Sequence, residues 1–300
     1  MTSTAFIFPG QGGQFIGQGK AWAEAREDIR YLFKMADEIT ERPISRLCFE
    51  GPLDELTLTI NLQPAVLTVG LAAARLHLDL ERIPYYAAGH SLGEFGALCL
   101  AGVLTEEEVL NLVAKRAVLM QKSSLNNPGA MAAILNLSTE DVIGLVELAQ
   151  SEGTVVAANF NTPFQTVISG VARAVAAAAR FAQAKGGRVV PLAVSGAFHS
   201  PLMAECSSAF ASLLTDLEFK TPRFPVVPNA LGTPVSDPDE LKFQLSQQMT
   251  SPVLWVKTIQ SLSALPVDTF AECWPRPFLG NIVKKCLPDP TKYRIVNASS

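Results

Sequence analysis

The feature that most constrains the fold is a sharp turn, Gly-His-Ser-Leu-Gly at residues 89–93. A short apolar segment from Tyr85 to Ala88 precedes it, and an Ala/Leu-rich segment from Phe95 to Val103 follows, which predicts a strand, a turn and a helix. The two flanking glycines permit a turn tight enough to hold the Ser91 hydroxyl at its apex. This pattern is typical of a nucleophile elbow, although a glycine-rich turn with an ordinary serine has the same sequence.

A glycine-rich loop follows the first predicted strand, Thr4 to Phe8. It is not a phosphate-binding loop, because Gln18 replaces the lysine of a Walker motif and Phe15 replaces the third glycine of a dinucleotide motif. The loop still presents main-chain N–H groups. Elbow enzymes stabilise an oxyanion with the amide after the nucleophile, here Leu92, and one from another loop, for which Gln11 is the candidate.

A predicted helix from Thr105 to about Ser123 carries an arginine on its apolar face. At about 100° per residue, Arg116 lies in the apolar arc. That arc consists of Leu112, Val113, Ala117 and Met120. A guanidinium that faces a core is costly unless an anion meets it. Two interpretations remain open: a structural salt bridge, or a bidentate clamp for a substrate carboxylate.

Three histidines are available to activate a serine. His77 lies near the end of a predicted helix, where a structural or solvated role is typical. His90 directly precedes Ser91, so its side chain is expected to point elsewhere. His199 lies between a predicted strand and a predicted helix, on the kind of loop where catalytic groups of open α/β sheets gather. If a histidine activates Ser91, His199 is the candidate.

Residues 129–194 follow a pattern of their own. The predicted elements are a strand at 131–135, a helix at 139–151, strands at 155–160 and 166–169, a helix at 171–185 and a strand at 189–194. The order β-α-β-β-α-β is that of a ferredoxin-like unit. We therefore predict a large α/β domain, residues 1–126 and 196–300, with an inserted ferredoxin-like small subdomain, residues 127–195.

Composition narrows the possible partners and the cellular location. A chain of 300 residues that is 48% hydrophobic can bury a large core. The formal charge of −4, without a run of five like charges, argues against nucleic acid or an anionic membrane as the main partner. The five cysteines never have CxxC spacing, which argues against a zinc site or a disulfide framework. Because no signal or membrane-spanning segment is evident, we expect a soluble cytoplasmic protein.

Seven motifs along the chain resemble those of malonyl-CoA:acyl carrier protein transacylases, and the resemblance covers nearly the whole sequence. They are Pro9-Gly10-Gln11-Gly12, Gln63-Pro64-Ala65, Gly89-His90-Ser91-Leu92-Gly93-Glu94, Arg116 with Met120-Gln121, Asn159-Phe160-Asn161, Gly196-Ala197-Phe198-His199-Ser200 and Ser251-Pro252-Val253-Leu254-Trp255. The family's fold is a hydrolase-like α/β domain with a mostly parallel sheet and a ferredoxin-like insert, which agrees with the pattern above.

The resemblance implies a role for each candidate residue. Ser91 would be the nucleophile, and His199 its base and then the acid for the departing thiol. Arg116 would hold the malonyl carboxylate. The family's histidine is oriented by a main-chain carbonyl, which matches Gln248 here, rather than by an acid. The supporting residues implied by the motifs are Gln63, His90, Asn161 and Gln248.

The resemblance also implies substrates and partners. It implies no cofactor and no metal: the substrate would be a coenzyme A thioester, malonyl-CoA, and the partner an acyl carrier protein. The carrier's phosphopantetheine thiol would attack acyl-Ser91 in a ping-pong cycle, in fatty-acid or polyketide synthesis. We expect no nucleic-acid or membrane partner, and a monomer. The alternatives are an acyl-thioester hydrolase or esterase with the same Ser-His pair, the malonyltransferase subunit of a malonate decarboxylase, and a partner-binding subunit without activity.

The sequence departs from the family's pattern at three places. Phe95 stands where tyrosine is usual, and Phe164 follows Pro163 where glycine is usual. Residues 273–277, Cys-Trp-Pro-Arg-Pro, replace a Gly-Pro-Gly-like loop. This last change is expected to affect the entrance of the site the most.

Overall fold

The computed structural model describes residues 3–194 and 196–299. Within them the strands are β1 (Thr4–Phe8), β2 (Pro84–Gly89), β3 (Ala130–Leu135), β4 (Val155–Thr162), β5 (Gln165–Gly170), β6 (Arg188–Pro191), β7 (Val226–Val227), β8 (Thr269–Glu272) and β9 (Arg294–Asn297). The α-helices are α1 (Lys20–Ala25), α2 (Glu27–Thr40), α3 (Ile44–Glu50), α4 (Leu53–Thr57), α5 (Thr59–Asp79), α6 (Gly93–Leu100), α7 (Glu106–Asn126), α8 (Thr139–Ala149), α9 (Ala172–Ala184), α10 (Ala204–Leu214), α11 (Pro238–Gln247), α12 (Trp255–Ser263) and α13 (Leu279–Cys286). The predicted domain limits at residues 1, 195 and 300 lie outside the described residues.

A five-stranded parallel sheet in the order β7-β2-β1-β8-β9 forms the centre of the larger part. Every residue of β1 is buried, as expected for a parallel strand covered on both faces. Phe6 and Phe8 pack into one apolar core, and Ala5 and Ile7 into a second core on the opposite face. Because β1 and β2 are parallel neighbours that end side by side, the loops that follow them leave the same edge of the sheet.

A four-stranded antiparallel sheet in the order β4-β5-β3-β6 forms the smaller part. Alternate residues of β3 point to opposite faces: Ala132 and Ile134 pack with α8 and α9, whereas Met131 and Ala133 belong to the larger core. The strand order is that of a ferredoxin-like unit. The predicted fold class, a mostly parallel α/β sheet plus a ferredoxin-like unit, is thereby confirmed. No helix in the described ranges is long and apolar enough to cross a membrane.

The elbow glycines are required by close packing rather than by a left-handed conformation of their own. A Cβ on Gly89 would lie 1.9 Å from the carbonyl carbon of Gly93, and a Cβ on Gly93 would lie 2.1 Å from the main-chain oxygen of Phe8. These contacts are with main-chain atoms, which cannot move aside as a flexible side chain does. The turn therefore brings the start of α6 directly against the end of β1.

Replacing Gly93 by alanine is expected to abolish folding into soluble protein, because the new Cβ meets the main-chain oxygen of Phe8. The matched control is Gly144→Ala in α8, where a Cβ meets no atom within 4 Å. That variant should be stabilised by about 0.5–1 kcal/mol through helix propensity. Soluble yield and urea denaturation measure both effects. A Gly93→Ala protein as stable as the wild type would contradict the packing argument.

Candidate active site

Ser91 lies at the apex of the turn between β2 and α6. Its φ of 49° is in the left-handed region, which few residues other than glycine adopt without support. Two side-chain amides provide that support. The main-chain N–H of Ser91 donates to Oδ1 of Asn229 at 2.7 Å, and its carbonyl accepts from Nε2 of Gln248 at 2.9 Å. The strained residue is thus held on both sides by hydrogen bonds.

The structure brings Ser91 and His199 together, with 2.7 Å between Oγ of Ser91 and Nε2 of His199. The other ring nitrogen, Nδ1, lies 3.0 Å from the carbonyl oxygen of Gln248 and 3.1 Å from that of Ser251. Carbonyl oxygens only accept hydrogen bonds, so the proton of a neutral His199 is placed on Nδ1. Nε2 is then free to accept the serine proton. The expected orienting carbonyl of Gln248 is joined by a second, that of Ser251.

Burial and the charge of Arg116 lower the pKa of His199 to about 3. His199 is only 5% exposed. A lowered pKa keeps the imidazole neutral at physiological pH, which is the form that can accept a proton from serine.

The pH dependence of acylation follows from that shift. As the pH falls, a histidine with the ordinary pKa of 6.5 would lose its basic form below that value, whereas His199 keeps it until the pH approaches 3. We expect kcat/KM for acyl-enzyme formation to change less than about tenfold between roughly pH 8 and pH 5. Stopped-flow release of coenzyme A measures it, with circular dichroism as a check that the protein stays folded. A tenfold fall per pH unit beginning near 6.5 would contradict the assignment.

Arg116 is buried beside Ser91, with an exposed fraction of 1%. Its Nη1 donates to Oε1 of Gln63 at 2.7 Å, and its Nη2 donates to Oε1 of Gln248 at 3.0 Å. Nη2 also lies 3.4 Å from Oγ of Ser91. Among the ion pairs of the described residues, none includes Arg116. The described part of the chain thus offers no structural salt bridge to Arg116.

Amide oxygens accept from Nη1 and Nη2 of Arg116 but do not neutralise its charge, and its buried Nε has no hydrogen-bond partner among the described residues. Burial lowers its pKa to about 10, so the guanidinium stays positive at neutral pH. A buried cation without a carboxylate in contact is unfavourable. The site is consequently suited to an anionic group bound next to Ser91.

A cavity of about 320 Å³ opens onto Ser91 and His199. Its walls come from the loop after β1, the elbow, the small sheet and the start of α13. The lining residues are Gly10, Gln11, Gly12, His90, Ser91, Met120, Met131, Ala133, Asn159, Asn161, Gln165, Val167, Leu192, Val194, Phe198, His199, Phe278, Leu279 and Ile282. A larger cavity, of about 530 Å³ between α2, α7 and α10, contains none of the predicted site residues. The smaller one is the candidate substrate site because it holds the nucleophile.

Of the remaining predicted residues, Gln11, His90 and Asn161 line this cavity. Leu92 directly follows Ser91, and Gln63 lies behind it on Arg116. In the described ranges, the main-chain N–H groups of Gln11 and Leu92 have no acceptor, so both are available to an oxyanion. His90, expected to point elsewhere, lines the cavity, and its Nε2 lies 2.8 Å from Oδ1 of Asn161. Gln63 contacts Arg116 and, through Nε2, the sulfur of Met120 at 3.2 Å.

Two residues of this site were not singled out from the sequence, Glu94 and Asn229. Glu94 is 1% exposed and accepts hydrogen bonds from the side chains of Asn229 and Gln248. The available signal was a carboxylate in the first turn of a helix that is otherwise apolar. Asn229 follows β7, and only the pairing of β7 with β2 brings it to the elbow.

The unusual loop at residues 273–277 packs against the glycine-rich loop. The indole Nε1 of Trp274 donates to the carbonyl of Gly13 at 3.2 Å, and the guanidinium of Arg276 lies 3.5 Å from the ring centroid of Phe15. The loop therefore supports the segment that carries Gln11.

Phe95, a second departure from the family's pattern, is fully buried, with its ring centroid 5.7 Å from Cζ of Arg116. In the described ranges no group of three or more potential metal ligands occurs.

Many α/β enzymes accept an acyl group on a serine that lies on a turn between a parallel strand and a helix, beside a neutral histidine. Comparison with known proteins gives the same class, since residues 5–298 match the acyl transferase domain family. The protein is thus an acyltransferase.

Named relatives narrow the class further. The chain is 40% identical to a malonyl CoA-acyl carrier protein transacylase of Bacillus subtilis (strain 168), over 95% of this chain and 90% of the relative. It is 35% identical to the enzyme of that name from Escherichia coli (strain K12), over 95% and 93% of the two chains. The chain therefore belongs to the malonyl-CoA:acyl carrier protein transacylase family.

Solved structures agree with the sequence comparison. An acyl-carrier-protein S-malonyltransferase from Burkholderia pseudomallei 1710b superimposes with a TM-score of 0.94, at 35% identity over 100% of this chain and 97% of the other. A chain in a complex of a type II PKS acyl-carrier protein with its malonyl-transacylase gives a TM-score of 0.92, at 31% identity over 99% of this chain and 95% of the other. At these identities the likeness extends beyond the fold.

Proposed function

We propose that this enzyme transfers a malonyl group from malonyl-CoA to the phosphopantetheine thiol of an acyl carrier protein through an acyl-Ser91 intermediate. The observation that carries the proposal is the guanidinium of Arg116, which is buried and lies 3.4 Å from the Ser91 hydroxyl. It forms no ion pair with a carboxylate of the described residues. Malonyl-CoA is a thioester whose far end is a carboxylate, so it supplies the missing anion. The names of the relatives support the same substrate and acceptor.

In the first half-reaction, Oγ of Ser91 attacks the thioester carbon while Nε2 of His199 accepts its proton. The main-chain N–H groups of Gln11 and Leu92 stabilise the oxyanion of the tetrahedral intermediate. The C–S bond then breaks, and His199 returns the proton to the departing sulfur as coenzyme A leaves. Throughout, Arg116 holds the carboxylate and thereby keeps the carbonyl carbon near Oγ.

In the second half-reaction, the carrier's phosphopantetheine thiol takes the place of coenzyme A. His199 removes the thiol proton, the thiolate attacks the acyl-Ser91 ester, and the proton passes to Oγ as the ester bond breaks. The solved complex of an acyl-carrier protein with its malonyl-transacylase supports a carrier as acceptor. We propose that the transferred malonyl units enter fatty-acid or polyketide synthesis, and that the enzyme acts as a cytoplasmic monomer.

The domain division forms part of this proposal. With limits at residues 1–126, 127–195 and 196–300, the large domain carries Ser91, His199 and Arg116. The small subdomain contributes Asn159 and Asn161 to the cavity wall. The substrate would then bind between the two.

Intact-protein mass spectrometry tests the proposal. Brief mixing with malonyl-CoA should add one malonyl group, which peptide mapping should locate on Ser91, whereas acetyl-CoA should label poorly. Adding a phosphopantetheinylated carrier should discharge the enzyme and malonylate the carrier, and the same carrier without its phosphopantetheine should not. Release of free malonate without carrier transfer would instead favour a thioesterase. Neither adduct nor turnover would favour a binding subunit.

A further inference from the structure

Glu94 is a buried carboxylate that the two half-reactions do not use. It lies in the first turn of α6, and 1% of it is exposed. Its Oε2 accepts from the main-chain N–H of Asn229 at 3.1 Å, from the side-chain amide of Asn229, and from Nε2 of Gln248 at 2.9 Å. It therefore binds the nitrogen ends of both side-chain amides that hold the elbow.

The remaining hydrogen bonds of each amide go to the elbow or to Arg116. The side-chain nitrogen of Asn229 also donates to the carbonyl of Gly89 at 2.8 Å, and its oxygen accepts from the N–H of Ser91 at 2.7 Å. The side-chain nitrogen of Gln248 also donates to the carbonyl of Ser91 at 2.9 Å, and its oxygen accepts from Arg116 at 3.0 Å. Both amides thus join Glu94 to the elbow by the same pattern.

Glu94 contributes to the orientation of the two amides. A side-chain amide has a donating end and an accepting end, and an ionised carboxylate only accepts. Glu94 therefore favours the orientation in which both nitrogens face it, as do the carbonyls of Gly89 and Ser91. The oxygen of Asn229 then faces Ser91, and the oxygen of Gln248 faces Arg116. A neutral amide at position 94 would impose no such direction, because it can both donate and accept.

Glu94 also acts on the charge of Arg116. Burial raises the pKa of Glu94, and hydrogen bonds from Gln248 and Asn229 together with the charge of Arg116 act against that rise. The two opposite charges are joined through the amide of Gln248 and not by direct contact. Arg116 therefore has a nearby countercharge that does not occupy the place where a substrate carboxylate would bind.

We propose that Glu94 is a positioning residue that fixes the amides of Asn229 and Gln248 and gives Arg116 an indirect countercharge, so that the guanidinium is held in place yet remains open to a dicarboxylic acyl group. This inference rests on the proposed function. It assigns part of the preference for a charged acyl group to a residue that touches no substrate.

The test is Glu94→Gln, which preserves shape but removes the charge and the directionality. We expect kcat/KM for acylation by malonyl-CoA to fall about 100-fold, since misplacement of about 1 Å at a reacting group has effects of this size. The kcat/KM for acetyl-CoA should fall less, so the malonyl:acetyl ratio of kcat/KM should fall about tenfold. Glu94→Asp, which keeps the charge on a shorter side chain, should recover part of that ratio.

Glu272→Gln is the matched control. Glu272 is also 1% exposed, and its carboxylate accepts the N–H groups of Phe278, Leu279 and Gly280. Phe278 and Leu279 line the cavity, but the described hydrogen bonds of this carboxylate include none to Ser91, Arg116, Asn229 or Gln248. This variant should lower the melting temperature without changing the malonyl:acetyl ratio. If Glu94→Gln is lost to misfolding, Gln248→Met tests the same link, because it removes the amide but keeps the carbonyl that holds His199. It should lower the ratio in the same direction.

The outcomes distinguish a failure of the proposed function from a failure of the role of Glu94. Wild-type enzyme that forms no malonyl adduct would defeat the proposed function, whatever Glu94 does. A malonylating wild type with an unchanged malonyl:acetyl ratio in folded Glu94→Gln, or in Gln248→Met, would overturn the role of Glu94.

Discussion

Replacing Ser91 by alanine is expected to remove the malonyl adduct entirely and to lower kcat for carrier malonylation by on the order of 10⁶. The reason is that Oγ of Ser91 is both the atom that receives the acyl group and the partner of His199, at 2.7 Å. Without it, His199 and the oxyanion donors have no nucleophile to act on. Intact-protein mass after mixing with malonyl-CoA, followed by a carrier-transfer assay, measures the two effects.

Ser207→Ala is the control for loss of a buried serine hydroxyl. Ser207 is 7% exposed, and its hydroxyl donates to the carbonyl of Ser246 at 3.1 Å, outside the cavity. We expect wild-type labelling from this variant. Ser91→Ala should also still bind malonyl-CoA, because Arg116 and the cavity are unchanged. Persistent labelling of Ser91→Ala at the wild-type rate would show that another residue is the nucleophile.

Local sequence signals predicted the parts of the fold that depend on neighbouring residues. Thr105 caps α7 in a full capping box with Glu108, and the arc calculation placed Arg116 on the buried face. The glycines of the elbow are explained by contacts that span only a few residues and the adjacent strand. These features follow from helical periodicity and from turn chemistry, both of which are present in the sequence itself.

Helix and strand ends were predicted less well where a local signal competes with tertiary packing. The helix predicted after His199 is present, but it begins as a 3₁₀ turn, Pro201–Met203, before α10. Beyond the loop at 273–277, α13 and β9 were not predicted. The apolar face of α13 covers the cavity and the sheet, which only the folded chain makes evident.

The candidate active site also contains residues that local sequence signals could not predict. Ser91, His199 and Arg116 each had a signal in their own surroundings, whereas Asn229 had none. It reaches the elbow because β7 pairs with β2 at the edge of the large sheet, a contact between residues far apart in sequence. The link through Gln248 is equally non-local, since one residue provides a carbonyl for His199 and an amide for Arg116. The resemblance to the family suggested only the carbonyl for His199.

Replacing Arg116 by alanine is expected to remove the preference for malonyl-CoA while sparing acylation by acetyl-CoA. A buried pair between a guanidinium and a carboxylate is worth about 2 to 5 kcal/mol when one partner is removed. The malonyl:acetyl ratio of kcat/KM should therefore fall roughly 30- to 5,000-fold. Acetyl-CoA has no carboxylate to lose, so its rate should change only through altered packing. Initial rates of coenzyme A release with both substrates measure the ratio.

Two further variants show whether charge or packing is responsible. Arg116→Met fills most of the volume without charge, so it should lose the malonyl preference as Arg116→Ala does. Arg75→Ala removes an arginine that pairs with Glu106 and Asp28 far from Ser91, so it should leave the ratio unchanged. Equal losses on malonyl-CoA and acetyl-CoA in both position-116 variants would mean that Arg116 supports the elbow and does not bind the substrate carboxylate. A selective loss on malonyl-CoA assigns it to substrate binding, because only that substrate carries the charge.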